Sequence, residues 1–70
     1  APGLSSDRLT GRLDLLRHLA RNGCRFVREG GSHSIWENPA NGRRTSVARH
    51  REIPEFTAHR ICEQLGVPAP

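Results

Sequence analysis

Seventy residues carry eleven arginines, no lysine, seven acidic residues and four histidines, for a formal charge of +4. A chain of this length supports one domain, buries only roughly 60% of its unfolded surface and leaves no room for a deep cofactor cavity. No apolar run approaches the roughly 20 residues of a membrane helix, and no charged-then-apolar leader opens the sequence, so a soluble, cytoplasmic domain with no membrane partner is expected.

Ala1-Pro2-Gly3 lacks a methionine and reads as a processing or expression remnant. The domain is expected over residues 5–67, with 1–4 and 68–70 as tails. Ser5 to Asn22 predicts a first helix. Leu9, Leu13, Leu16 and Ala20 recur at steps of four, three and four and therefore share one face. Leu15 and Leu19 widen that stripe, while Asp14, Arg17, His18 and Arg21 lie opposite. Asn22-Gly23 suits the helix end, because glycine tolerates the left-handed conformation there.

Cys24 to Glu29 predicts a short strand halted by Gly30-Gly31, and Ser32 to Asn38 a second strand rich in branched and aromatic residues. Pro39-Ala40-Asn41-Gly42 is a turn with a hairpin-type Asn-Gly end. Arg43 to Arg49 reads as a third strand centred on Val47, and His50 to Pro54 as a loop. A second helix is expected from Glu55 to Leu65, with Ala58, Ile61, Cys62 and Leu65 on one face and Gly66 then Pro68 at its end. Three short strands joined by tight turns pair antiparallel, and the helices must cover one of their faces. The expected fold is α+β: a two-layer α-β-β-β-α sandwich, with a three-stranded antiparallel sheet and both helices on one face. Double-stranded-RNA-binding domains use the same arrangement.

An all-arginine positive balance has two sources, GC-rich codon usage and recognition of phosphates, which the flat guanidinium fork suits better than an ammonium. Either way the surface attracts polyanions, nucleic acid foremost. Cys24 and Cys62 sit within apolar patterns and read as small buried hydrophobes. No close ligand pair such as C-x2-C is present, so neither a metal nor another cofactor is expected.

His18 and His59 fall off the apolar stripes of their helices and read as solvated. His33 differs. It opens the second strand after Gly30-Gly31-Ser32, and alternation sets it on the face opposite Trp36. If Trp36, the largest apolar residue of the strand, faces the helices, His33 projects from the open face. An exposed imidazole beside arginines suits proton transfer at a phosphodiester.

The ordered series is more specific than any one element. Asn22-Gly23, Val27-Arg28-Glu29-Gly30-Gly31-Ser32-His33, Trp36, Asn38-Pro39, Gly42-Arg43 and Val47-Ala48-Arg49-His50 before a closing helix together resemble the HicA family of toxins over roughly Thr10 to Val67. That resemblance implies a fold similar to double-stranded-RNA-binding domains. It also implies a ribonuclease that cleaves messenger RNA without a metal and is held inactive by a HicB antitoxin. The family's catalytic histidine falls on His33, with Gly31 and Ser32 as matching neighbours, and its later strand-end histidine falls on His50. Three features depart from the pattern: Cys24 where a large aromatic is common, Ala48 where a proline is common, and the absence of lysine.

On this reading Arg28, Arg44 and Arg49 are candidates to hold backbone phosphates, and His50 or a water is the candidate acid for the leaving oxygen. Two other classes fit the same residues. One is a non-catalytic RNA-binding module in which His33 only binds. The other is a protein-interaction domain whose basic face docks an acidic partner.

Overall fold

The computed structural model describes residues 9–70. It is an α+β sandwich, and its main elements follow the expected α-β-β-β-α order: α1 (Arg12–Arg21), β2 (Arg25–Gly30), β3 (His33–Asn38), β4 (Arg43–Ala48) and α2 (Glu55–Leu65). Strands β2, β3 and β4 form one antiparallel sheet in that spatial order. Two further short strands, β1 (Leu9–Gly11) and β5 (Glu52–Pro54), pair with each other in a separate antiparallel ribbon.

That ribbon corrects the sequence reading at both of its strands. Leu9-Thr10-Gly11 continues the leucine spacing of α1, yet its backbone is paired to Glu52–Pro54, a stretch expected to be loop. Gly11 is extended (φ −61°, ψ 134°), and the Arg12 amide donates to the Arg51 carbonyl at 2.8 Å. The helix therefore starts at Arg12; the expected start at Ser5 lies outside the described residues. Pairing partners some forty positions away in sequence outweigh a local helical period.

The buried stripe of α1 also differs from the expected one. Leu15 and Leu19 are fully buried and Leu16 packs against the core, whereas Leu9, Leu13 and Ala20 are exposed. The stripe is thus one narrow ridge at i, i+1 and i+4 rather than the broader leucine face. On α2 the expected face is the observed one: Ala58, Ile61, Cys62 and Leu65 are all buried. These residues join Val47, Ile53 and Cys24 in one core, with Trp36 packed against it. Both helices bury their stripes against the same side of the sheet.

Both helices end alike. The Cys24 amide returns to the Leu19 carbonyl at 2.9 Å and the Val67 amide to the Cys62 carbonyl at 3.0 Å, with Gly23 and Gly66 at positive φ between them. Two asparagines of the β3–β4 connection reinforce the second end. Asn38 and Asn41 each donate Nδ2 to the Leu65 carbonyl, at 2.8 and 3.0 Å.

Along β2 the register slips by one residue at Val27: Phe26 lies opposite Trp36, but Arg28 lies opposite Ile35. This is a β-bulge. The Phe26 and Trp36 rings meet edge to face at 6.3 Å. Both cysteines are buried and free, and burial raises their thiol pKa values above the ordinary range. Among the described residues, no helix is long and apolar enough to cross a membrane.

Candidate active site

Alternation and burial assign the two faces of the sheet. Ser34 and Asn38 are buried and Trp36 contacts the core, so these three residues of β3 face the helices. His33, Ile35 and Glu37 take the opposite, outer face. The premise about Trp36 holds, and His33 is exposed.

His33 is the first residue of β3, opposite Gly30 on β2 and Ala48 on β4. The turn that delivers it needs glycine: Gly31 has φ +68°, which side-chain-bearing residues rarely adopt. Ser32 Oγ lies 3.3 Å from His33 Nδ1. When Nδ1–H donates to that hydroxyl, the imidazole lone pair sits on Nε2, where it can accept a proton.

Below His33, on the helix side, a polar network fixes the strand ends. Arg12 donates Nε to the Ala48 carbonyl at 3.0 Å and Nη2 to Ser34 Oγ at 2.9 Å. Ser34 Oγ in turn donates to Glu29 Oε2 at 3.1 Å, and Glu29 Oε1 stands 3.7 Å from Arg49 Nη1. Arg12 did not stand out in the sequence, where it looked like one arginine among eleven on a helix flank. Its signal is a long-range one, since its partners lie 22 and 36 residues away.

The other candidates divide between the two ends of the sheet. Gly31, Ser32 and His33 are contiguous, Arg49 follows Ala48, and His50 is exposed one residue further on. Arg28, also exposed, lies opposite Ile35 on the outer face. Arg44 lies on β4 opposite Glu37, and Glu37 is four residues along β3 from His33, which is roughly 13 Å of extended strand. There it forms half of a clamp: Arg25 Nη2 and Arg44 Nε reach the Glu37 carboxylate at 2.8 and 3.3 Å. The hydrogen bond from Arg25, followed by that from Arg44, holds the Glu37 carboxyl below its ordinary pKa. Among the described residues, no group of three or more His, Cys, Asp or Glu side chains is placed to hold a metal ion.

A cleft of about 200 Å³ opens where β4 meets α2, and His33 lines it together with Ser46, Thr57, Arg60 and Gln64. Sequence reading passed over these α2 residues. Their spacing, i, i+3 and i+7 on the helix, was the available signal.

A small basic α+β domain, with an exposed histidine delivered by a glycine turn to the rim of a cleft, is the class that fold and site define. The family model described as HicA toxin of bacterial toxin-antitoxin matches residues 13–67. This covers most of the sequence, and the chain belongs to the HicA family, the toxins of bacterial toxin–antitoxin systems. No curated protein and no solved structure matches it significantly. Its likeness to double-stranded-RNA-binding domains therefore rests on element order alone.

Proposed function

We propose that this toxin is a metal-independent endoribonuclease that cleaves messenger RNA through His33, and that a HicB-type antitoxin holds it inactive. The observation that carries the reading is the placement of His33: exposed at a strand start, presented by the Gly31 turn, and with Nδ1 beside the Ser32 hydroxyl. Membership of the HicA family supports it. The functional unit is residues 5–67.

In the proposed reaction His33 Nε2 takes the proton of a ribose 2′-hydroxyl, and the 2′-oxygen forms a bond to the adjacent phosphorus. The bond from phosphorus to the 5′-oxygen breaks, and that oxygen leaves with a proton from His50 or a water. Products are a 2′,3′-cyclic phosphate and a 5′-hydroxyl. Gly31 and Ser32 shape the approach. Arg28, exposed and without an acidic partner among the described residues, holds a backbone phosphate, and guanidinium donors stabilise charge developing on the phosphoryl oxygens. Arg49 and Arg44 contribute to RNA attraction while paired to Glu29 and Glu37.

The test is incubation of the wild-type chain and His33→Ala with a long RNA in EDTA. Cleavage to cyclic-phosphate ends by the wild type alone is expected. Binding without cleavage by both proteins makes the chain an RNA-binding module and removes the catalytic role of His33.

A further inference from the structure

The cleft beside His33 is built from two elements with different chemistry. Its floor is apolar, with Ala48, Ile53 and Ile61, and its rim carries Thr57, Arg60 and Gln64 from successive turns of one α2 face. Thr45 Oγ1 donates to Gln64 Oε1 across the gap between β4 and α2, which fixes the carboxamide and leaves its NH2 group as a donor. Arg60 is exposed and has no acidic partner among the described residues. None of the residues lining the cleft is acidic. An apolar floor, a fixed amide donor, hydroxyls and one guanidinium suit a flat heteroaromatic ring bearing a phosphate. Drug-sized ligands occupy roughly 300–1,000 Å³, so a cleft of about 200 Å³ fits a single nucleobase rather than a stacked pair.

We infer that the β4–α2 cleft is a nucleotide subsite of this chain. It takes one unstacked base of single-stranded RNA over Ala48, with the nearly buried Ile53 and Ile61 closing the floor beneath it, that nucleotide's phosphate on Arg60 and the edge of its base read by Gln64. Because His33 lines the same cleft, the bound nucleotide neighbours the bond that is cut. That last relation rests on the ribonuclease reading, whereas binding to the cleft does not.

The experiment uses the His33→Ala chain, isotopically labelled, titrated with uridine and adenosine 5′-monophosphates, the corresponding nucleosides, and inorganic phosphate. The monophosphates should shift the backbone amides of Thr57, Arg60 and Gln64. The nucleosides should bind at the same residues about tenfold more weakly, and Arg60→Gln should erase that difference, as expected for one lost charge-assisted hydrogen bond. In the chain with His33 intact, Arg60→Gln should lower RNA cleavage efficiency about tenfold, mainly through KM. Arg21→Gln, which removes an equal charge from an exposed position of α1, is the control and should have little effect. Shifts confined to other residues overturn the subsite, and so do equal effects of Arg60→Gln and Arg21→Gln. Inorganic phosphate shifting the cleft as strongly as the nucleotides also overturns it, since the apolar floor would then contribute nothing. Cleft shifts without any cleavage by the intact chain overturn the ribonuclease reading and leave the subsite standing. Cleavage that ignores Arg60→Gln does the reverse.

Discussion

Arg12 reaches from the first turn of α1 to Ala48, donating Nε to its carbonyl at 3.0 Å, and Ala48 is the residue directly opposite His33 in the sheet. The same guanidinium holds Ser34, the residue after His33. One side chain thus grips both strands at the height of the histidine, using two separate arms of a planar fork. Arg12→Ala is expected to lower unfolding free energy by about 2 kcal/mol, because half-buried partners lose a charged donor. Arg12→Lys should recover only part of this, since an ammonium on a flexible stem cannot span both acceptors. Urea denaturation of the three proteins measures the stability. Cleavage assayed well below each midpoint should fall for Arg12→Ala through kcat, with KM nearly unchanged.

The Glu37 clamp predicts an acid-side stability loss. Its carboxyl titrates below the ordinary value of 4.5 in the folded chain because Arg25 and Arg44 bond the ionised form. Between the two values the unfolded chain binds more protons, so stability rises with pH there. The contribution is complete above the unfolded value. It fades as pH falls through the depressed folded one. Glu37→Gln should remove this part of the pH dependence while leaving the remaining carboxylates' share, as read from urea midpoints across the acid range.

The end of α2 depends on residues far from it in sequence. Asn38 is buried and donates to the Leu65 carbonyl, while its Oδ1 accepts the Ala40 amide at 3.1 Å. Asn38→Ala should cost about 1–3 kcal/mol, because the Leu65 carbonyl loses one of its two side-chain donors and the Ala40 amide loses its acceptor. Asn41→Ala, at an exposed position, should cost less. Gly66→Ala should be worse than a helix-end glycine ordinarily is. Besides the strain at φ +74°, an added Cβ would stand 2.6 Å from Asn41 Nδ2. Thermal denaturation ranks the three.

Leu13 and Leu15 are two residues apart on α1 and behave oppositely, one largely exposed and one fully buried. Leu15→Ala should cost about 2–5 kcal/mol as a core truncation. Leu13→Ala should stay within about 0.5 kcal/mol, the range of ordinary surface changes. Comparable losses from both would contradict the packing of α1.

The contrast shows where sequence pattern was sufficient. Helix α2, both glycine stops, the β3–β4 turn and the three main strands were legible because each is specified locally, by period, by turn chemistry or by a residue that ends an element. Leu9 and Leu13 misled because an all-leucine helix flank offers two overlapping stripes, and only the partner surface chooses between them. The β1–β5 ribbon was invisible for the same reason: three-residue strands carry almost no period of their own. At the site, the Gly31-Ser32-His33 turn was readable as a contiguous string. The Arg12–Ser34–Glu29–Arg49 network and the α2 wall of the cleft were not, since tertiary packing alone brings Arg12, Arg49 and α2 to the hairpin that carries Glu29, His33 and Ser34.

The extra residue at Val27 has a consequence for how charge is sorted. In a regular strand, residues three apart point to opposite sides, so Arg25 and Arg28 would be separated by the thickness of the sheet. The bulge restores the phase after one unpaired position. Arg25 and Arg28 then stand together on the outer surface, opposite Glu37 and Ile35, while Phe26 and Glu29 turn inward to Trp36 and Ser34. A single inserted residue therefore works as a polariser. It gathers two guanidinium groups from one strand on the side where His33 projects, and sends that strand's only carboxylate to the side where the Ser34 hydroxyl donates to it.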